Sequence, residues 1–199
     1  MIYLEDAVSQ DILDELIEHY ESGGDYDTIS MKKSSALSTI KILENIDAID
    51  TDRIQIAHFY KHKAPYYPHS DFHFIEKENI VLPLQVTDGL NPYLVIFDQY
   101  YNDDACTWTG TSKVKFKINT GLEGRPYDSN ITNKTNAPIP NYLYNKYLNW
   151  QPKDFWFGLS GQPFEFKPGN MIQFDSTRIH ATSTMHCQEK LGLTIRYKL

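Results

Sequence analysis

Two histidines and an aspartate carry the most specific chemistry in this chain. The run YYPHSDFHF holds His69 and Asp71 two residues apart. In an extended strand, residues i and i+2 project from one face, so an imidazole and a carboxylate would converge there. Composition alone gives roughly 0.6 His-x-Asp pairs in a chain with these residue counts, so the pair means little by itself. An exposed His and Asp beside a turn would look the same. A third residue adds weight. About 110 residues later, PGNMIQFDSTRIHATS runs from a Pro-Gly turn through a strand and Asp175 to His180. Two imidazoles and one carboxylate, delivered by separate strands, bind a transition-metal ion on one side and leave adjacent positions open to other ligands. The last strand, KLGLTIRYKL, then supplies cations.

Other histidines and aromatic residues are set against this constellation. His73 is the second neighbour of Asp71 on the same strand face and would lie beyond the metal, toward substrate or solvent. His186 is an alternative to His180, but the PGN…FDS…H context favours His180. His19, His58 and His62 have no partner in sequence and read as structural or surface residues. Trp108, Trp150 and Trp156 could line a substrate mouth, or pack in small clusters beside the core.

The elements that would position these residues can be read coarsely. A helix is predicted from about Ser9 to Glu21, with Ser9 as N-cap, Gly23-Gly24 as terminator, and Ile12, Leu13, Leu16, Ile17 and Tyr20 on its apolar face. A second, shorter helix is predicted over Ser38 to Ile46, with Ile40, Leu43 and Ile46 on a common side. From Arg53 onward the pattern turns to strands: RIQIAHFY, NIVLPLQV and PYLVIFDQYY, then PFEFKPGNMIQFD, RIHATS and KLGLTIRYKL. Pro83, inside the second of these, implies an edge strand or a bulge. Helices followed by many short strands suggest an antiparallel sandwich or barrel with helices packed outside. Asn102 to about Pro163 reads as a long insertion between two halves of that barrel, of the kind that forms a lid or binding loop. PNYLYNKYLNW within it has a helical look.

With 199 residues, the chain suits one domain: a helical part over 1–52 packing on a core over 54–199. It is 41% hydrophobic and 14% aromatic, enough to bury a core, and the aromatic share favours strands. A net charge of −7 argues against general nucleic-acid binding, since phosphate rewards positive charge. Cys106 and Cys187 are too few for a disulfide framework or a zinc ribbon. MIYLEDAVSQD resembles no signal peptide, and no apolar run is long enough to span a membrane. A cytoplasmic location is the resulting expectation. Asn130 and Asn133 match the glycosylation pattern but carry little weight without a secretory signal.

The chain resembles the Fe(II)/2-oxoglutarate-dependent oxygenase superfamily, and its first half is most similar to prolyl 4-hydroxylase-like members. Their Tyr-x5-aromatic-x2-His-x-Asp pattern is matched by Tyr60, Tyr66, His69 and Asp71, although Lys63 stands where a glycine is usual. PGNMIQFDSTRIH and KLGLTIRY resemble the closing pattern. The match covers roughly Ile54 to Leu199, with Asn102 to Pro163 unmatched. The resemblance implies a mainly β fold with flanking α-helices, built on a double-stranded β-helix (a cupin-like jelly roll). It implies Fe(II) held by His69, Asp71 and His180, with 2-oxoglutarate and O2 as cosubstrates and ascorbate as a supporting reductant. Succinate and CO2 would be released, and the presence of Asp71 favours hydroxylation over halogenation. For the 5-carboxylate of 2-oxoglutarate, Lys190 has the usual spacing, ten residues after His180. Arg196 has the better-suited guanidinium fork. Lys190 is preferred and both remain open; His186, ten residues before Arg196, would pair with the second choice. Thr194, Tyr60 and Gln85 fall where relatives place further polar contacts to the cosubstrate. The prime substrate stays open between a peptidyl residue and a small metabolite. Two other classes stand beside this one: a cupin-like metal enzyme that does not use 2-oxoglutarate, and a non-catalytic jelly-roll module that binds carbohydrate or builds a virus particle.

Overall fold

The computed structural model describes residues 1–22, 29–30, 34–71, 76–101, 106–107 and 131–198. Their order is β1 (Ile2–Leu4), α1 (Gln10–Ser22), β2 (Ile29–Ser30), α2 (Ser34–Leu43), β3 (Ile54–His62), β4 (His69–Ser70), β5 (Glu76–Thr87) and β6 (Tyr93–Tyr101). Then come β7 (Cys106–Thr107), β8 (Ile131–Thr132), α3 (Asn141–Leu143), β9 (Gly161–Glu165), β10 (Met171–Asp175), β11 (Arg178–Thr182) and β12 (Glu189–Lys198). The strands form two antiparallel sheets, in the orders β1-β10-β5-β12-β3-β2 and β7-β4-β11-β6-β8, with β9 also paired to β6. The fold is a mainly β jelly roll with helices outside it, as the strand pattern and the resemblance imply.

Three apolar clusters divide the core by layer. Between the sheets, Val81, Ile172 and Phe174 meet Leu94, Ile96 and Phe166. On the outer face of the first sheet, Leu13 and Leu16 of α1 and Ile42 and Leu43 of α2 cover Ala57, Leu82, Leu193 and Ile195. This covering follows from the amphipathic spacing of α1, where Leu13 N–H donates to Ser9 O at 3.0 Å in the first turn. The terminator Gly23-Gly24 lies outside the described residues. Helix α2 begins four residues before the expected start and ends at Leu43. Ile42, Leu43 and Ile46 are buried, while Ile40 is only partly so, because the core face runs through Thr39 and Ile42.

The third cluster corrects the reading of the insertion. Ile139, Leu143, Tyr147, Leu148, Phe155, Trp156 and Leu159 pack on Val95, Phe97 and Ile179 of the second sheet. The described part of that stretch is therefore core, not lid. PNYLYNKYLNW does turn helically, but α3 passes at once into a π-turn over Tyr144–Leu148. Trp156 is fully buried and Trp150 packs against the same cluster, so neither lines a mouth; Trp108 lies outside the described residues.

Pro83 sits in a central strand, not an edge one. β5 is hydrogen-bonded between β10 and β12. The ladder slips there: Leu191 faces Gln85, and the next residue, Gly192, faces Pro83, leaving Leu84 as the extra residue of a bulge. Among the described residues, no helix is long and apolar enough to cross a membrane.

Candidate metal centre and its pocket

Strands β4 and β11 are antiparallel neighbours, and among the described residues the pair that joins them is His69 opposite His180. Their ring centroids are 4.1 Å apart. His69 Nδ1 lies 2.8 Å from Tyr67 O and His180 Nδ1 lies 3.1 Å from Arg178 O. A backbone carbonyl can only accept, so each Nδ1 is the donor, the tautomer in which a neutral ring offers Nε2 as its lone pair. Both Nε2 atoms face Asp71: His69 Nε2 is 3.6 Å from Oδ1 and His180 Nε2 is 3.4 Å from Oδ2. One ligand atom from each of the three residues lies within 4.8 Å of the others, a set that could hold a metal ion. Tyr66 stands edge-on to His69 and Phe174 edge-on to His180, bracing the rings from outside.

The electrostatics suit the same purpose. Burial, reinforced by His180, lowers the His69 pKa to about 3, so the ring is neutral. Burial alone would raise the Asp71 carboxyl, but His69, His180 and Arg196 more than reverse this and hold it well below the usual carboxylate range. Two further side chains grip that carboxylate. Arg196 Nη2 is 3.2 Å from Oδ1, and Asn79 Nδ2 donates to Oδ2 at 3.0 Å. Two imidazoles and an anchored, ionised carboxylate make a donor set that fits a divalent first-row metal.

A cavity of about 270 Å³ runs from His69, Asp71 and His180 to Lys190. Lys190 is 2% exposed; it donates to Thr182 Oγ1 at 3.1 Å and lies 4.4 Å from the centre of the Phe166 ring. Burial lowers its pKa to about 7, with Cys187 opposing. Among the described residues no carboxylate pairs with it. Thr194 and Arg196 line the same cavity from β12, as the strand alternation predicts. Tyr60 enters from β3, its phenol pushed up by burial and by Asp71. Gly192 lies between them because a Cβ there would come within 2.5 Å of Tyr60 Oη.

Gln85 is the exception among the expected site residues: it is exposed and lies outside the cavity. Counted straight from Val81, its side chain would point inward; the bulge at Leu84 reverses that parity. His186 forms a bridge with Leu90 and lines a separate cavity, so it is not gathered with His69 and Asp71. His73 lies outside the described residues. Three cavity residues, and Asn79 behind Asp71, carry no recognised signal in the sequence. His58 and His62 flank Tyr60 on its face, Thr182 is two residues after His180, and Asn79 opens the NIVLPLQV run. Only the i±2 spacing from Tyr60 and His180 could have pointed to the first three.

No protein-family model matches the sequence, and no curated protein matches it. Among solved structures the chain is similar to the non-heme α-ketoglutarate-dependent epimerase SnoN from nogalamycin biosynthesis. That likeness has a TM-score of 0.51 and 9% identity over 99% of this chain and 77% of the other. A second structure of SnoN, with Fe3+, α-ketoglutarate and nogalamycin RO, gives a TM-score of 0.51 and 8% identity over 99% and 78%. A Pseudomonas putida prolyl-4-hydroxylase gives 0.48 and 12% over 99% and 86%. At these identities the likeness is one of fold: the chain shares its jelly roll with the α-ketoglutarate-dependent epimerase, and His69, Asp71 and His180 are grouped inside it.

Proposed function

We propose that this protein is an Fe(II)- and 2-oxoglutarate-dependent dioxygenase that hydroxylates an unactivated C–H bond. One observation carries the reading. Three side chains that could hold a metal gather at one part of a cavity, and a buried lysine without a carboxylate partner among the described residues stands elsewhere on its wall. A 2-oxo diacid asks for both, since one end must chelate and the other must find a cation when it leaves water.

In this reading His69 and His180 hold iron through Nε2 and Asp71 through a carboxylate oxygen. When bound, iron with 2-oxoglutarate and O2 supplies the oxidative decarboxylation that yields succinate and CO2 and delivers oxygen to the substrate. The chain's own contribution is binding, orientation and exclusion of water. The carbonyls of Tyr67 and Arg178 fix both imidazole tautomers. Asn79 and Arg196 aim the Asp71 carboxylate. Lys190 takes the far carboxylate, while Val81 and Leu94 supply apolar wall. The prime substrate is a peptidyl residue or a small metabolite.

Protein supplied with Fe(II), ascorbate and 2-oxoglutarate is expected to form succinate even without a prime substrate. Anaerobic titration should find one Fe(II) site, lost in His69→Ala. If neither Lys190→Ala nor Arg196→Ala weakens 2-oxoglutarate binding, a metal enzyme that does not use this cosubstrate replaces the proposal. If no stoichiometric metal site exists, a non-catalytic module does.

A further inference from the structure

His62 is a cavity residue that neither the metal nor the lysine accounts for. It lies on β3 directly opposite Lys190 of β12. Side chains of such cross-strand partners share a face, with Cβ atoms about 5 Å apart. The ring is held on two sides, stacked on Tyr66 at 5.1 Å and 14° and packed on Tyr60 at 5.0 Å. Its Nδ1 is buried and has no hydrogen-bond partner. A buried polar nitrogen in that condition is costly unless a ligand satisfies it. Burial and the adjacent Lys190 hold the ring neutral, with a pKa of about 4. A neutral imidazole has one N–H to give.

The demand for that N–H comes from the cosubstrate. An ionised carboxylate offers about four lone-pair sites, and burial is costly for each one left empty. Lys190 already spends one of its N–H groups on Thr182. We propose that His62 donates from Nδ1 to the far carboxylate of 2-oxoglutarate beside Lys190, and so helps the pocket select a diacid over a monoacid. This rests on the oxygenase reading above.

The test uses the full chain loaded anaerobically with Fe(II), titrated calorimetrically with two ligands. One is 2-oxoglutarate. The other is 2-oxopentanoate, which keeps the chelating end and chain length but lacks the far carboxylate. Wild type should bind the diacid more tightly. His62→Phe, which keeps an aromatic ring against Tyr66 but has no N–H, should weaken the diacid about 10- to 100-fold while leaving 2-oxopentanoate and Fe(II) binding unchanged. His62→Asn, whose amide nitrogen can stand near the position of Nδ1, should recover much of the loss. Diacid binding unchanged in His62→Phe, or both acids weakened equally, overturns the assignment. If wild type itself does not distinguish the two acids, the oxygenase reading fails and this inference goes with it.

Discussion

Lys190 is the residue at which burial and function are most visibly opposed. Its charge is what an anionic ligand needs, yet burial lowers its pKa to about 7. The sign follows directly. In the proposed role the protonated form binds the diacid, so affinity should be highest below pH 7 and should fall as pH rises through that value. Lys190→Arg should flatten the profile, because a guanidinium keeps its charge. Calorimetric titration of 2-oxoglutarate between pH 6.5 and 9 measures this, and a flat wild-type curve would contradict it. Folding runs the other way: the unfolded lysine keeps its proton up to about 10.5, so this residue makes the folded state more stable as pH rises from about 7 toward that value. A second prediction concerns Asn79, which grips Asp71 without contributing charge. Asn79→Leu should weaken Fe(II) binding about 10- to 100-fold, read by anaerobic titration; unchanged affinity would remove Asn79 from the centre. The two residues also differ in how they could be read. The place of Lys190 on the cavity wall is legible from the spacing that the family resemblance implies, and the shared face of His69 and Asp71 from the period of a strand. Asn79 is not, because its contact with Asp71 depends on which strands the whole chain pairs, and no local pattern records that.

At the scale of elements, small local irregularities decide which side chains reach the cavity. The bulge at Leu84 turns Gln85 outward, whereas the uninterrupted alternation of β12 from Lys190 to Arg196 keeps a whole face inward. A proline in a strand signals that an irregularity is present, but not which side it leaves exposed; hence simple alternation describes β12 and fails for β5. Two glycines permit close approaches of different kinds. A Cβ at Gly161 would lie 2.3 Å from Ile96 O and 2.7 Å from Phe97 Cα, both backbone atoms that cannot step aside. Gly161→Ala should therefore force β9 away from β6 and cost about 1–3 kcal/mol, measured by denaturant unfolding. At Gly192 the nearest atoms belong to the Tyr60 side chain. Gly192→Ala should cost less stability than Gly161→Ala yet weaken 2-oxoglutarate binding, because Tyr60 must swing within the cavity. Equal binding by Gly192→Ala and wild type would show that Tyr60 has no part in holding the ligand.

Across the whole molecule, each sheet is covered on its outer face by a different kind of sequence. Two helices cover the first, and their amphipathic period made them legible. The second is covered by an aromatic segment without a regular period, which is why core looked like a loop there. Trp156→Ala in that layer should cost about 3–5 kcal/mol in unfolding experiments, while the folded fraction still binds one equivalent of Fe(II). The His69–His180 pairing has a last consequence at this scale. β4 is two residues long, and among the described residues a single pair joins it to β11. An ion held by both histidines would act as a cross-link closing a loop of about 110 residues, the kind of long closure that costs the unfolded chain entropy. By mass action, the melting temperature should then climb with metal concentration. Amide protons of β4 should exchange with solvent more slowly as the ion binds, making thermal stability itself a gauge of occupancy.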